Sequence, residues 1–409
     1  MNRIHPEMTI GELLTKYPEV LPVFSANGFP AATRDELLAL LSPQLLLKSA
    51  LALKGYNGRV FTGLLEEKIT EHQAMLKLQA AEPVGKTVDF LGYTYCPIKH
   101  IFKECFEQAL EKYLAQTQDD AFTYFVPSGC TGEDDPYAGI WEVEDIDDFP
   151  DVVAAGGYGD FFRQKFVDRF VSKGYFRSVG RMEVHEYFAN TGCEDPQGHY
   201  GVYAAMPIVM LVDRRKLGDL PMPSRWSDLL DPVYHNNIII GGAPDDIYED
   251  ILFFTYKDHG EAGLVKLAAN VKTALHGAQM AKLAGTANSQ GAAVYVIPLL
   301  FAKACPRTAA TQLVWPEDGA LITPLYLLVK AAPRRNLQLF IDFVTGVEYG
   351  QKSADNGFPV LNSAVDNKLP AQAAFKWLGW DFIRAQPLEQ LYERVMTIFT
   401  KAWRKPGTP

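Results

Sequence analysis

Cysteine is scarce in this 409-residue sequence: there are five, Cys96, Cys105, Cys130, Cys193 and Cys305, at irregular spacing. That excludes a disulfide framework and a paired Cys-x-x-Cys zinc pattern, and makes a reduced compartment the simpler expectation. Basic charge is also short, since 39 Lys and Arg against 49 Asp and Glu leave a formal net charge of -10, with no run of interleaved basic and aromatic residues. Such a chain has no surplus with which to neutralise phosphates, so nucleic acid is not an expected partner. Long apolar runs are missing as well. The stretch "AAVYVIPLLFA", 292–302, falls far short of the roughly 18 residues a membrane span needs, so no membrane insertion is expected. The opening "MNRIHPEMTIGELLTKYPEV" is interrupted at Glu7, Glu12 and Lys16 before any signal-length apolar run develops, which gives a cytoplasmic expectation. Finally, there is no G-x-S-x-G, G-x-x-x-x-G-K-[ST] or H-E-x-x-H; "HEYFA" at 185–189 lacks the second histidine. No catalytic residue, metal ligand or cofactor is therefore expected.

What is present describes a globular chain too long for one core, at 48% hydrophobic and 22% charged residues. Residues 1–83 read as a small helical domain. Thr9 with Glu12 makes a capping box, Leu13, Leu14, Val20, Leu21 and Phe24 follow at helical spacing, and Gly28 with Pro30 ends the unit. A longer helix, "GLLEEKITEHQAMLKLQAAEP", leads to a boundary near Pro83. From residue 87 strands and helices alternate: "TVDFLGYTYC", a helix from Pro97 to about Leu114, "AFTYFVPSG", "DVVAAGGYG", then a helix "FFRQKFVDRFVSKGYF". That alternation predicts βαβ units and a largely parallel sheet. The second half repeats it, with helices expected over "EDILFFTYKDHG" and "EAGLVKLAANVKTAL" and an amphipathic helix through Leu388, Leu391, Val395, Ile398 and Phe399.

Two blocks carry a resemblance. "PIVMLVDRRKLGDLPMPSRWSDLLDPVYHNNIIIG" (207–241) and "LVWPEDGALITPLYLLVKAAPRRNLQLFIDFVTGVEYGQ" (313–351) are similar, in order and spacing, to segments of the type II solute-binding proteins of ABC transporters, particularly the ferric-ion, thiamine and phosphonate binders. The resemblance covers residues 87–363. It implies a two-lobed α/β fold of type II periplasmic-binding-protein character, with hinge strands, behind the small all-α N-terminal domain. Lobe 1 would span 87–204, completed by part of 313–409, lobe 2 would span 205–312, and helices would close the chain over 364–409. A turn at Pro316–Gly319 and a buried face of Phe340, Ile341, Phe343 and Val344 are further expectations. "TIGELLTKYPEVLPVFSANGF" resembles a small domain found with hybrid-cluster redox proteins; its relatives usually carry cysteines after the Gly-Phe, where this chain has "GFPAATRDEL". The implied function is non-catalytic binding of a small molecule or ion, with an ABC permease or a redox protein as a possible partner. The ferric members hold metal with adjacent tyrosines, and no such pair occurs here. The rivals are an enzyme on the same scaffold using Cys96 or His100, and a redox-linked protein docking through residues 1–83.

The candidate ligand residues sit where strands end. In "YCPIKHIFKEC", Cys96 and His100 lie within about 40° of each other on a helix while Cys105 faces away, roughly 13 Å along the axis, so one Cys-His-Cys site or a disulfide is ruled out. Cys105 falls into the stripe Ile98, Ile101, Phe102, Cys105, Ala109 and is expected in the core. Cys96, before Pro97, reads as a helix cap that is either pocket lining, beside Tyr95, or inert. Ser128 and Gly129 are either ligand-binding N–H donors or an ordinary loop. Gly156 and Gly157 permit close backbone approach, and Tyr158 can stack on a ligand. Asp245, Asp246, Tyr248 and the neighbouring Glu249 stand at the mouth of a helix that acids alone would favour. His276 and Gln279 lie where the resemblance places ligand contacts, though a lone histidine is commonly structural.

Overall fold

Thr9 opens the first helix as its sequence dictates. In the computed structural model its hydroxyl accepts the Glu12 N–H at 3.1 Å, and the Glu12 carboxylate accepts the Thr9 N–H at 2.9 Å. The bond from the Thr9 backbone, then that from its hydroxyl, holds the Glu12 carboxyl below its usual range. The structure describes residues 4–26, 29, 31, 33–53, 58, 61–66, 68–69, 87–117, 122–127, 135–180 and 182–403. They fall into two units, Met1–Pro150 and Asp151–Pro409.

The first unit begins with α1 (Ile10–Lys16), α2 (Leu21–Ala26), α3 (Arg34–Leu41) and α4 (Leu47–Leu53). The helix does not run on from Thr9 to Phe24, because Pro18 has no N–H to donate and a 3-10 turn, Pro18–Val20, intervenes. Leu13, Val20, Phe24, Phe29 and Phe61 are buried together, with Phe24 5.4 Å from Phe29 and 5.3 Å from Phe61 between ring centres. The expected stop at Gly28 and Pro30, and the end of the long helix from residue 70 on, lie outside the described residues. A βαβ unit follows: β1 (Phe90–Gly92) and β2 (Tyr124–Phe125) pair in parallel, joined by α5 (Cys96–Gln116). Buried Asp89 pins the two strands by accepting from the Thr123 N–H at 2.8 Å and its hydroxyl at 3.0 Å. The buried stripe of α5 is Ile98, Phe102, Phe106 and Leu110, one row round from the expected one, so Cys105 is half-buried on its flank rather than in the core.

The second unit is built on one long strand pair. β3 (Val152–Gly156), β4 (Gly201–Asp213), β5 (Ile238–Ala243), β6 (Asp246–Ile247), β7 (Val271–Leu275), β8 (Val294–Pro298), β9 (Thr311–Val314), β10 (Ala320–Val329) and β11 (Phe375–Lys376) form its ladders. β10 runs antiparallel to both β3 and β4. β4 pairs with β10 from Gly201 to Ile208, with β8 from Ile208 to Val212 and with β9 from Met210 to Asp213, so one continuous strand belongs to three ladders. β5 is parallel to β7 and β8. The sheet is thus mixed rather than largely parallel, because β4 and β10 traverse the unit in opposite directions. "VKTAL", expected as the end of a helix, is β7. Pairing with β5 overrides its helical pattern, and α6 (Glu249–Asn270), interrupted at Gly260, ends before it.

The predicted turn at Pro316–Gly319 is present: the Gly319 N–H donates to Pro316 C=O at 2.9 Å, and the Trp226 indole N–H donates to Gly319 C=O at 2.8 Å. In the helix Gln338–Thr345, Phe340, Ile341 and Val344 are buried, while Phe343 is half-buried against Tyr349. Of the C-terminal helix residues, Leu388, Leu391, Val395 and Phe399 are buried and Ile398 is half-buried.

Candidate functional site

In the first unit, β1 ends at Gly92 and α5 begins four residues later, at Cys96. Tyr95, half-buried, occupies the N-cap without a side-chain capping hydrogen bond, and Cys96 is the first helical residue rather than the cap. Thr94, which no local motif marks, is 5% exposed, and its hydroxyl has no hydrogen-bond partner among the described residues. A buried hydroxyl beside an uncapped helix start is a polar group left for something else to satisfy. Ser128 and Gly129 lie outside the described residues.

In the second unit, Gly156, Gly157 and Tyr158 follow the end of β3. Gly157 has φ 87, and its N–H donates to Pro324 C=O at 3.0 Å. Tyr158 is 4% exposed: its hydroxyl donates to Ile322 C=O at 3.1 Å, and its ring lies 6.0 Å from Phe253 and from Trp377. Burial, reinforced by the Asp250 and Glu249 charges, raises the Tyr158 pKa well above the ordinary range, so the phenol stays a donor. Its backbone N–H points at Glu249 Oε1, 3.5 Å away.

The turn from β5 through β6 delivers the acids. Gly242 has φ 127, and a Cβ there would lie 2.4 Å from Asp246 C=O. Gly242→Ala is expected to cost about 2 kcal/mol or more by forcing this turn open, read as a shift in the urea midpoint. Tyr248 is half-buried at the N-cap of α6, and Asp245 is exposed. Asp246 is exposed, with Oδ1 accepting from Tyr392 at 3.1 Å. Asp250, 5% exposed, accepts from the Thr323 hydroxyl on β10 at 2.5 Å. Desolvation, then the neighbouring Glu249 charge, pushes its carboxyl up to about 7, and Glu249 is raised as well, chiefly by burial. The buried Trp377 indole N–H has no acceptor among the described residues. Tyr158, Glu249, Asp250, Thr323 and Trp377 therefore gather two acids of raised pKa, one spare donor and a tyrosine around the crossing strand β10.

His276 and Gln279 stand apart from this group. They form the capping box of α7 (Gly277–Leu283): His276 Nδ1 accepts the Ala278 N–H at 3.2 Å, and Gln279 Oε1 accepts the His276 N–H at 3.1 Å. His100 is exposed on α5. Asp250, Thr323 and Trp377 were not singled out from the sequence. The one available signal for Thr323 was a hydroxyl inside the apolar run "ALITPLYLLV". Among the described residues, no group of three or more His, Cys, Asp or Glu is placed to hold a metal ion, and no helix is long and apolar enough to cross a membrane.

Comparison with known proteins returns two family models. The one described as bacterial extracellular solute-binding protein matches residues 147–386, and one described as a domain of unknown function matches residues 4–59. No curated protein matches the sequence. Among solved structures, the ferric iron-binding protein A of Mannheimia haemolytica, in an open conformation, matches at TM-score 0.52 and 13% identity, covering 77% of this chain and 98% of that one. The Bordetella ferric binding protein matches at TM-score 0.52 and 14% identity, with the same coverage. An ABC transporter structure from Clostridium perfringens matches at TM-score 0.50 and 14% identity, again covering 77% and 98%. At these identities the likeness is one of fold, a type II periplasmic-binding-protein fold behind a helical N-terminal region.

Proposed function

We propose a function from the premise that this chain belongs to the bacterial extracellular solute-binding protein family: it closes two α/β lobes over a small molecule or ion, without catalysis, and delivers it to an ABC transporter permease. The observation that supports this reading is the strand pair β4 and β10. Because β4 leaves the β10 ladder for the β8 ladder at Ile208, a small change of twist there turns one half of the sheet against the other. Within the second unit the proposed ligand contacts are Gly156, Gly157, Tyr158, Tyr248 and Glu249; within the first, taken by itself, they are Thr94, Tyr95 and Cys96 at the start of α5. Asp245, Asp246, His276 and Gln279, together with Ser128 and Gly129, complete the proposed set.

The ferric binders among the similar structures make Fe³⁺ the first probe, although this chain has no adjacent tyrosine pair. Polyamines and phosphate would test the acids and the helix start respectively. At a hundredfold excess over Kd, a true ligand should stabilise the protein by about 2.7 kcal/mol, a shift of several degrees in Tm. A broad panel of metals, amines, oxyanions and host-cell metabolites that leaves Tm unmoved would remove this reading. Residues 1–83 are proposed to serve as a docking domain, with a redox protein as the alternative partner to the permease. A cytoplasmic location is the alternative to the extracellular one that the family's description gives. An immunoblot of fractionated host cells separates them.

A further inference from the structure

A cavity of about 210 Å³ in the second unit shares none of the residues placed above. Its floor is aromatic: Phe162 and Tyr200 stack at 4.6 Å with planes 8° apart, and Trp380 lies 5.5 Å from Tyr200. The polar tips of this floor are already committed. The Tyr200 hydroxyl donates to Phe161 C=O at 2.7 Å, and the Trp380 indole N–H donates to Cys193 C=O at 3.1 Å. Neither polar tip is therefore left for a ligand. One wall, Val167–Val171, is a π-helical turn, an irregularity that costs helix stability and is often kept at functional sites.

One side chain at the cavity carries positive charge. Arg384 lies over the Trp380 ring, 4.9 Å from its centre, and donates through Nη2 to Asp195. The Asp195 side chain is fully buried and also accepts the N–H groups of Gln197 and His199 at 2.9 Å and of Tyr200 at 3.1 Å. Its charge is shared among four donors, so it fixes the guanidinium without using up the other Arg384 N–H groups. The side-chain amides of Gln197 and Gln386 add further unspent donors at the rim. The nearby carboxylates are engaged, Asp168 with the Gln164 amide and Glu389 with the Gln164 N–H.

Apolar rings below and a fixed cation at the edge suit a ligand with one flat apolar body and one anionic end. Benzene fills an engineered cavity of about 150 Å³, so the space here takes one ring plus a carboxylate. We infer that this cavity binds a small aromatic carboxylate, its ring on Phe162, Tyr200 and Trp380 and its carboxylate on Arg384.

The test uses the full-length protein with benzoate as probe and neutral benzamide as control, read by tryptophan fluorescence and ligand-observed NMR. Benzoate should bind saturably, and benzamide about tenfold more weakly or worse, for want of the charge-assisted bonds. Arg384→Lys should weaken benzoate by a similar factor, because lysine cannot offer the fork, and Val167→Phe should abolish binding by filling the cavity from its half-exposed rim. Equal binding of benzoate and benzamide, or benzoate binding untouched in both variants, would overturn the inference, as would no saturable binding to the wild type. If Arg384→Lys unfolds, the ligand pair and Val167→Phe still decide.

Discussion

Asp151→Asn should destabilise the second unit by about 3–5 kcal/mol, the usual cost of breaking a buried ion pair from one side. The Asp151 side chain is fully buried. It receives Arg334 Nε at 2.8 Å, and Lys330 Nζ stands 3.1 Å from its other oxygen without hydrogen-bond alignment. The two cations differ in what they lose. Arg334 is 45% exposed and can return to water, whereas Lys330 at 5% cannot, so the uncompensated charge is that of Lys330. The pair closes the end of the β3 and β10 ladder, where the Lys330 N–H also donates to Asp151 C=O at 2.9 Å. Urea unfolding of the single variants and of Asp151→Leu with Lys330→Met reads the effect. The apolar double variant should recover most of the loss, and a double variant no better than either single would show that the charges are not what Asp151→Asn disturbs.

Asp250→Asn should abolish a pH dependence of stability that runs against the usual direction for a carboxylate. Its pKa is raised from 3.8 to about 7, so across that window the folded state holds a proton the unfolded state has lost. Stability from this group is therefore full below about 4 and is lost as pH rises through about 7. The shift sets an upper bound of roughly 4 kcal/mol on the change. Asparagine keeps an acceptor for the Thr323 hydroxyl and carries no charge, so the variant should match the wild type near pH 4 and exceed it at pH 8. The difference between the two unfolding curves, measured from pH 4 to pH 8, isolates this group from the other carboxylates. A difference that is flat, or that grows toward low pH, would refute the assignment. The same proton bears on the proposed site, since a cation bound near Glu249 and Asp250 would favour their ionised forms.

The parts of the fold that were legible in advance rest on local chemistry. The Thr9 and Glu12 capping box, the Pro316–Gly319 turn, and the buried faces of Gln338–Thr345 and the C-terminal helix all follow from a few neighbouring residues. The two blocks at 207–241 and 313–351 pointed to the family because they contain the crossing strands and the turn between them. The misread elements are those whose state depends on a distant partner. "VKTAL" is a strand because β5 offers it a ladder, and Cys105 leaves the core because α5 is rotated toward Phe90, which stacks on Phe106 at 4.8 Å.

The candidate site divides the same way. Strand ends, glycines and helix starts marked the loops at Tyr95, Gly156 and Tyr248, since those signals are written in adjacent residues. Nothing local distinguishes Asp250 from the other acids of "PDDIYEDILFF". Burial, then the Glu249 charge, raises its pKa to about 7 although the Thr323 hydroxyl opposes the shift, and that burial is made by elements such as the strand that carries Thr323, 73 residues later. Thr94 and Trp377 likewise become unsatisfied polar groups only once packing has closed around them. By itself, then, the sequence determined the class of fold, the turns and the helix starts, because backbone preference and hydrophobic period act over a few residues. Tertiary structure alone decided which polar groups are desolvated, because removing water from a side chain takes neighbours that the chain brings from far away.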